Sequence, residues 1–361
     1  MSDERCRLRD LGLKIGTLDT GELNSITDVP GVKVGHSTII KGDGKLVPGK
    51  GPIRTGVTVI IPHEGNAYRE KVFASSFIMN GYGKTIGLVQ VEELGLLESI
   101  IALTNTLNIP KVADALIDYH ITQNPNIGVT GPTINVVVGE CNDGILNDIQ
   151  GRHVTKEHVF EAINNASVTV EEGSVGAGTG MVTFGYKGGI GTSSRKASIE
   201  DNDVVLGVLV LSNFGHKDDL TILGKKFNLI SKEEKDVLKE KGSIMVIIAT
   251  NAPLNSRQLK RIAKRAPLGI SRTGSYSSWG SGDVIIAFSN KQKLNFKNKP
   301  SKRTTEILNE ESKIFSFLLR ATVEATEEAI LNSILTSYTM KGRDDRVIEA
   351  ISIEKIREMF S

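Results

Sequence analysis

The sequence pattern with the most chemical content is a serine at the start of an apolar run. Ser243 follows Lys241 and Gly242 and opens the segment SIMVIIAT at 243–250, which is typical of a buried strand. A serine hydroxyl is a weak nucleophile that needs an adjacent base. The sequence contains no G-x-S-x-G, H-E-x-x-H or G-x-x-x-x-G-K-[ST] motif that would supply a familiar partner. On this local pattern alone, Ser243 is most simply the first residue of a strand.

Two further polar positions lie beside predicted strands. Asn213 follows the apolar segment VVLGVLVL at 204–211, and Ser281 and Asp283 flank a glycine at the start of the strand 283–288. Alternation along a strand would put Ser281 and Asp283 on one face. Taken alone, a Ser-Gly-Asp sequence is typical of a turn.

The glycine-rich segment 172–195 invites comparison with a dinucleotide-binding loop. Gly176, Gly178 and Gly180 do not fit that motif, because the third glycine is one residue early and no acidic residue closes a following βαβ unit. We interpret the segment as turns and close backbone approaches. The six histidines show no metal-ligand spacing, and two cysteines cannot build a four-thiolate zinc site. We therefore expect neither a metal ion nor a cofactor.

The elements that must position these residues indicate a layered α/β or α+β protein, since helices and strands alternate without a strict βαβ pattern. Strands are predicted at 32–34, 57–61, 133–138, 204–211, 243–250 and 283–288. Helices are predicted at 92–107, 110–121, 155–167, 255–268 and 306–336, a surface segment or linker at 231–241, and a polar loop at 290–305.

Composition limits the classes of function. In 361 residues, 44 Lys and Arg nearly balance 42 Asp and Glu, and aromatic residues are 5%. Neither value fits a dedicated nucleic-acid binder. No apolar run approaches the ~18 residues of a membrane span, and the first residues lack the apolar core of a secretory signal. We expect a soluble, cytoplasmic globular protein with no nucleic-acid or membrane partner.

A family resemblance is carried by ordered matches along almost the whole chain. They are LRDLG at 8–12, ITDVPGVKVGH at 26–36, TGVT at 55–58, NGYG at 80–83, VEE at 91–93, GSVGAGTGM at 173–181, KGGIGT at 187–192, SN at 212–213, GS at 242–243, APLGI at 266–270 and GSGD at 280–283. On these segments the sequence resembles the L-aminopeptidase/D-amidase-esterase and β-peptidyl aminopeptidase enzymes, sometimes called the P1 family of peptidases.

The resemblance implies a fold and an activation step. The implied fold is α/β, a four-layer αββα sandwich of the aminopeptidase/ornithine acetyltransferase type that forms a single large domain over 1–361. The implied activation is self-cleavage of the Gly242–Ser243 bond, which would give a larger piece, 1–242, and a smaller piece, 243–361. Such processed heterodimers usually assemble as a tetramer, and the implied substrate is a small peptide or amino-acid amide.

The resemblance also implies roles for individual residues. Ser243 would be the nucleophile, and cleavage would free its α-amine, whose reference pKa of about 7.7–8.0 against about 10.4 for lysine suits a general base. We expect Gly242 to allow a strained turn at the cleaved bond. Asn213 would donate to the oxyanion, Ser281 and Asp283 would orient the Ser243 amine and hydroxyl, and Lys187 would add positive charge to the oxyanion or to self-cleavage.

Two departures concern the predicted substrate-binding residues Tyr82, Lys84, Glu140 and Asn142. Lys84 ends NGYGK where relatives commonly carry NGNGE, and its charge is opposite to that of the glutamate expected to bind the substrate ammonium. Asn142 stands where relatives carry a tyrosine. Four carboxylates are candidates to replace the missing one: Glu92, Glu93, Glu140 and Asp143.

Two alternatives stay open at this stage. One is an acyltransferase of the ornithine acetyltransferase type, although those enzymes usually present threonine at the cleavage site. The other is a non-catalytic binding descendant of the fold, which the two departures motivate. The retained set of Ser243, Asn213, Ser281 and Asp283 favours an active hydrolase.

Overall fold

The computed structural model describes residues 5–228, 241–295 and 301–361. Its strands are β1 (Lys33–Lys41), β2 (Ile53–Ile61), β3 (Glu70–Gly81), β4 (Leu96–Leu97), β5 (Ile101–Asn105), β6 (Val137–Cys141), β7 (Val182–Thr183), β8 (Tyr186–Lys187), β9 (Ile190–Ile199), β10 (Asn202–Asn213), β11 (Thr221–Ile222), β12 (Lys225–Lys226), β13 (Lys241–Thr250), β14 (Gly280–Asn295), β15 (Met340–Lys341) and β16 (Val347–Ile348). Its α-helices are α1 (Leu88–Leu94), α2 (Ile109–Gln123), α3 (Lys156–Asn164), α4 (Ser256–Ala263), α5 (Ala266–Arg272), α6 (Lys313–Leu335) and α7 (Ile353–Phe360).

Two sheets pack face to face between two layers of helices. The smaller sheet has the order β1-β2-β5-β6 and the larger has the order β4-β3-β14-β13-β10-β9. Apolar side chains from both sheets fill the space between them. Helices α2 and α3 cover the outer face of the smaller sheet, and α4, α5 and α6 cover that of the larger sheet. The predicted α/β four-layer αββα sandwich is confirmed.

Strand β13 lies inside the larger sheet, between antiparallel β10 and parallel β14. Val246 and Ile248 face the helices, whereas Met245 and Ile247 face the smaller sheet. Because both faces of the strand are buried, the segment 243–250 has no polar alternation. The strand predicted there is confirmed, and it places Ser243 near its amino-terminal end.

The helix predicted at 92–107 is wrong. Helix α1 ends at Leu94, because Gly95 adopts a left-handed φ of 67° and its N–H closes the last turn on Val91. The chain then forms β4 and β5, and β5 pairs with β2 on one side and β6 on the other. Periodicity alone does not distinguish a buried strand from a buried helix in a short apolar run. Here the pairing with β2 and β6 in the smaller sheet stabilises the strand.

Several predicted boundaries also moved. The helix predicted at 255–268 is two helices, α4 and α5, and Pro267 lies in the first turn of the second. The helix predicted at 306–336 begins only at Lys313, where the Ser312 hydroxyl caps the first turn. Strand β6 starts four residues later than the strand predicted at 133–138.

The two predicted polar segments have different outcomes. Residues 290–295 of the predicted loop extend β14, while 296–300 lie outside the described residues. The predicted linker 231–241 also lies outside them, apart from Lys241, which begins β13. Among the helices that are described, none has both the length and the apolar character needed to cross a bilayer.

Candidate active site

A cavity of about 600 Å³ opens where β13 begins. Its lining contains seven of the residues singled out in the sequence, namely Tyr82, Lys84, Glu140, Asn142, Asn213, Gly242 and Ser243. These residues come from strands and loops that are distant along the chain, from 82 to 243. The volume lies within the range of roughly 300–1,000 Å³ that is usual for small-molecule sites. The cavity is therefore the candidate active site.

Ser243 lies at the wall of this cavity with its side chain on the face of β13 that looks toward the smaller sheet. The residue is 4% exposed, and its Oγ has no hydrogen-bond partner among the described residues. A buried hydroxyl without a partner costs about 1–3 kcal/mol, so a purely structural serine would be expected to find one. The Ser243 hydroxyl is thus left without an internal partner at the cavity wall.

The neighbouring Cys141 thiol offers no base to that hydroxyl. Burial raises the pKa of Cys141 well above its ordinary value, and the charge of Glu140 raises it further. The nearby Ser243 hydroxyl lowers this pKa only in part. The Cys141 thiol is therefore protonated, and its Sγ donates to the carbonyl of Leu211 at 3.4 Å.

Asn213 is the cross-strand partner of Ser243. Its Oδ1 accepts from the N–H of Val182 at 2.9 Å, and its Nδ2 donates to the carbonyl of Asn142 at 3.1 Å. These two bonds fix the plane of the amide and leave one Nδ2 hydrogen unused. Directly paired side chains have Cβ atoms about 4.5–5.5 Å apart. An amide donor consequently lies beside the serine hydroxyl.

Ser281 and Asp283 form a bonded pair on the neighbouring strand. The Ser281 hydroxyl donates to Asp283 Oδ1 at 2.5 Å, and the Ser277 hydroxyl donates to Oδ2. Ser243 pairs with Gly282, so both side chains lie on the opposite face of the sheet from the Ser243 side chain. They flank the Gly242–Ser243 backbone, and they do not contact the hydroxyl. Burial raises the pKa of Asp283, which these bonds partly offset.

Gly242 does not form the expected strained turn. It lies in the extended strand β13, with a backbone outside the left-handed region. A Cβ at this position would lie 2.9 Å from both Cα and Cβ of Phe214. The glycine is therefore needed for close packing of β13 against the residue that follows Asn213.

Lys187 does not line the cavity. Its side chain is fully buried, and its Nζ donates to the carbonyls of Gly178 at 3.0 Å and Gly188 at 2.5 Å. Burial lowers its pKa to about 7. Lys187 pairs in the β7–β8 hairpin with Val182, whose N–H holds Asn213. The lysine supports the segment that binds Asn213, and among the described residues no contact links its charge to Ser243.

Of the four candidate carboxylates, only Glu140 lines the cavity. Glu92 is bound by Lys260 and by the Ser76 hydroxyl and N–H. Asp143 is buried beneath the wall, where the Thr55 hydroxyl and the Asn147 amide bind it.

Glu140 is held from two sides. Its Oε1 accepts the backbone N–H of Lys84 at 3.0 Å, and its Oε2 accepts the Thr106 hydroxyl. Burial raises the pKa of Glu140, and these bonds together with the Lys84 charge lower it in part. The Lys84 side chain itself is exposed at the cavity.

Sequence reasoning missed several residues of the cavity wall, above all Arg343 and Arg346. They occur in the polar segment GRDDR at 342–346, which carries no motif and reads as solvated surface. Tertiary packing alone brings this segment to the cavity. The N–H of Arg343 bonds to the carbonyl of Leu146 at 2.9 Å, and Gly342 packs against Leu146 so closely that a Cβ would lie 2.4 Å from the same carbonyl oxygen.

Comparison with known proteins identifies the family of the chain. The model of peptidase family S58 matches residues 24–348. The chain belongs to peptidase family S58. The resemblance predicted from the sequence is confirmed, and with it the expectation of a hydrolase of the aminopeptidase class.

Individual known proteins are similar to this chain over nearly their full lengths. The β-peptidyl aminopeptidase BapA of Sphingosinicella xenopeptidilytica is 40% identical over 373 residues, which cover 98% of this chain and 90% of that protein. A crystal structure from Pyrococcus horikoshii is 51% identical, with a TM-score of 0.92 and 98% of both chains covered. The L-aminopeptidase D-Ala-esterase/amidase of Ochrobactrum anthropi, described as a variant of the N-terminal nucleophile hydrolase fold, is 35% identical, with a TM-score of 0.89 and 98% of both chains covered.

Proposed function

We propose that the protein is a self-activating serine aminopeptidase that hydrolyses small peptides or amino-acid amides with a free amino terminus. The observation that carries the proposal is the buried, unpartnered hydroxyl of Ser243, placed directly across from the amide of Asn213 in a cavity that also holds Glu140. A nucleophile, an oxyanion donor and an ammonium partner are the three groups that this reaction needs.

Activation begins at the Gly242–Ser243 bond. The Ser243 hydroxyl attacks the carbonyl carbon of Gly242, the peptide bond rearranges to an ester, and water hydrolyses the ester. The products are the carboxylate of Gly242, which ends the piece 1–242, and a free α-amine with a restored hydroxyl on Ser243. Both residues line the cavity, which supports access of water to this bond.

The freed amine supplies the base that the described residues do not place on the Ser243 hydroxyl. No described side chain accepts a hydrogen bond from Oγ, and the adjacent Cys141 is a protonated thiol. An α-amine titrates near pH 8, so a usable fraction is neutral at physiological pH. Ser281 and Asp283 flank this backbone position from the other face and would orient the amine.

Turnover follows from the same groups. Ser243 Oγ attacks the substrate carbonyl while the α-amine accepts the hydroxyl proton, and the free Nδ2 hydrogen of Asn213 stabilises the oxyanion. The amine then gives the proton to the leaving amine, which leaves an acyl-Ser243 ester. A water molecule, deprotonated by the same amine, hydrolyses the ester and regenerates the hydroxyl.

Glu140 would bind the ammonium group of the substrate. It is the one carboxylate among the described residues of the cavity wall, and it takes the place of the glutamate missing at position 84. The backbone N–H of Lys84 holds this carboxylate in position, while the Lys84 side chain lies exposed.

Mass spectrometry of the purified protein tests the proposal. We expect two pieces, 1–242 and 243–361, from the wild type and a single 39.0 kDa chain from Ser243→Ala. Ser316→Ala, which changes an exposed serine of α6, is the matched control and should be processed normally. Cleavage of Ser243→Ala at the same bond would contradict the assignment of the nucleophile.

Activity assays separate the alternative functions. Hydrolysis of aminoacyl p-nitroanilides or β-amino-acid amides by the processed protein supports the aminopeptidase. Acetyl transfer from acetylornithine to glutamate would instead support the acyltransferase, and inactivity of processed protein toward all α, β and D substrates would support a binding protein. Size-exclusion chromatography with light scattering tests the proposed tetramer of processed heterodimers.

A further inference from the structure

The described cavity wall carries more positive than negative charge, whereas a site that only binds an ammonium group requires negative charge. Among its described residues, the charged groups are Glu140, Lys84, Arg343 and Arg346, that is, three cations and one carboxylate. Lys84 lies next to Glu140, and its charge lowers the pKa of that carboxyl. With three cations against one carboxylate, the described cavity wall carries excess positive charge that the proposed reaction does not use.

The two arginines are held by the turn that follows Asn142. The backbone N–H of Arg343 bonds to the carbonyl of Leu146 at 2.9 Å, and Nη1 of Arg346 lies 3.5 Å from the carbonyl of Ile145. Ile145 itself lines the cavity. The backbone of Arg343 is thus fixed at the wall, and the half-exposed Arg346 side chain reaches the wall through one long contact.

Their guanidinium groups are incompletely paired. Arg343 has a side chain only 22% exposed, and its Nε is buried without a hydrogen-bond partner. The nearest carboxylate, Asp344 Oδ2, lies 3.6 Å from Arg343 Nε and 3.8 Å from Arg346 Nη2, both beyond hydrogen-bond distance. One carboxylate shared by two guanidinium groups leaves one positive charge unbalanced. The buried Nε donor of Arg343 beside that charge is available to bind an anionic group.

We infer that Arg343 and Arg346 bind a carboxylate on the leaving-group side of the substrate, so that the preferred substrates are short peptides with an anionic group next to the cleaved bond. This inference rests on the proposed function, because it places the scissile carbonyl between Ser243 and Asn213. Planar guanidinium groups suit bidentate recognition of a carboxylate.

The distance along the wall is compatible with a carboxylate on the leaving-group side. The Asn213 amide bonds to the carbonyl of Asn142, and three residues farther along the chain is Ile145, where Arg346 is anchored. Three residues span at most about 11 Å, which one or two amino-acid residues and an arginine side chain can bridge. The acyl side of the substrate, by contrast, carries the ammonium group bound by Glu140. The carboxylate is therefore the free carboxyl terminus of a di- or tripeptide, or an acidic side chain of the leaving residue.

A binding experiment tests this inference without depending on catalysis. The unprocessed Ser243→Ala protein is titrated calorimetrically with three matched ligands: Ala-Ala, Ala-Ala-amide and Ala-Asp-amide. We expect Ala-Ala to bind about tenfold to a hundredfold more tightly than Ala-Ala-amide, as for hydrogen bonds to a charged group. If Ala-Asp-amide also binds tightly, the site accepts either a free carboxyl terminus or an acidic side chain. If Ala-Asp-amide binds weakly, the site accepts only the free carboxyl terminus.

The arginines are then tested in the Ser243→Ala background. The double substitution Arg343→Gln with Arg346→Gln should bring the affinity ratio of Ala-Ala to Ala-Ala-amide close to one. Arg346→Gln alone changes a half-exposed side chain, so it tests the same effect where the double variant fails to fold. Arg357→Gln, which removes an exposed guanidinium from α7, is the control and should keep the wild-type ratio.

The outcomes separate the two proposals. Equal or undetectable binding of Ala-Ala and Ala-Ala-amide overturns the carboxylate site whether or not the enzyme is active. Retention of the preference in the double variant also overturns it. Failure of the wild type to cleave itself or to hydrolyse any substrate refutes the proposed function, and it leaves the measured preference for the carboxylate standing as a binding property of the cavity.

Discussion

Ser243 on β13 and Asn213 on β10 are directly opposite one another in the antiparallel register of the larger sheet. Their side chains share the face that looks toward the smaller sheet, and the Asn213 amide is held in plane by Val182 and Asn142. A donor fixed in advance stabilises a developing oxyanion without any cost of reorganisation. This pair therefore accounts for a large part of the catalytic effect that we propose.

Replacing Asn213 tests that relationship. We expect Asn213→Ala to lower kcat by ~10²–10³ with a much smaller effect on KM, because the donor acts mainly on the transition state. Steady-state kinetics on the processed fraction measures both values. Asn202→Ala, which removes an exposed amide at the other end of β10, should leave kcat unchanged. A rise in KM with unchanged kcat would contradict the oxyanion role.

Gly242 should be intolerant of any side chain. In Gly242→Ala the new Cβ would lie 2.9 Å from Phe214 Cα and Cβ, so β13 must shift away from β10. We expect slower self-cleavage, because the shift separates Ser243 from Asn213. The cleaved fraction is followed over time by gel electrophoresis.

Gly81→Ala provides the comparison for that experiment. Its Cβ would meet only Ile78 Cγ2, at 3.8 Å, which is ordinary van der Waals contact. This variant should be processed at the wild-type rate. Equal processing of both variants would show that close packing at Gly242 is not needed.

Because of Glu140, we expect the affinity for substrate to fall at low pH, which is the acid limb of the pH profile. Burial raises the pKa of this carboxyl, and only its ionised form attracts an ammonium group. As pH falls through the raised pKa, KM for substrates with a free amino terminus should increase. Glu140→Gln should raise KM at neutral pH by about tenfold to a hundredfold and should remove that acid limb. KM is measured across pH 4 to 8 at constant ionic strength.

A carboxylate elsewhere serves as the control for Glu140. Glu157→Gln changes an exposed residue of α3 and should keep the acid limb. Survival of the limb in Glu140→Gln would assign the ammonium site to another group.

Because Lys187 is buried, we expect the free energy of unfolding to rise with pH. Burial lowers its pKa to about 7 in the folded protein from 10.5, so between these values the unfolded chain binds a proton that the folded protein does not. The free energy of unfolding then increases with pH, by up to about 1.4 kcal/mol per pH unit, and the increase ends above the unfolded pKa. Below pH 7 both states are protonated and the contribution is constant.

Guanidinium unfolding at pH 7, 8 and 9 measures this effect, with Ser243→Ala present in every protein so that each unfolds as a single chain. Subtracting the free energy of unfolding of Lys187→Met from that of the wild type cancels the contribution of the groups that titrate in both proteins. This difference should increase as pH rises. Lys14→Met, which changes an exposed lysine, should show no such change in the difference. A pH-independent difference for Lys187→Met would mean that the buried lysine keeps its proton.

Local patterns were sufficient where the information is itself local. The segment 243–250 predicted β13 correctly because both faces of that strand are buried, and the spacing of Ser281 and Asp283 placed them on one face of β14. The prediction of a helix at 92–107 was wrong because an apolar run of this kind packs equally well as a strand. Pairing with β2 and β6, which only the tertiary structure shows, makes part of it the strand β5.

The sequence by itself determined the family and the layered α/β fold, and it singled out Ser243 as the nucleophile that we propose, since each depends on residues close together in the chain or on their order. The tertiary structure alone decided that Glu140 is the carboxylate of the cavity, that Lys187 lies outside it, and that Ser281 and Asp283 face away from the serine hydroxyl. It also brought Arg343 and Arg346 to the wall from a segment that carries no motif. Strand register and the packing of distant segments set these relationships, and neither leaves a periodic signal in the sequence.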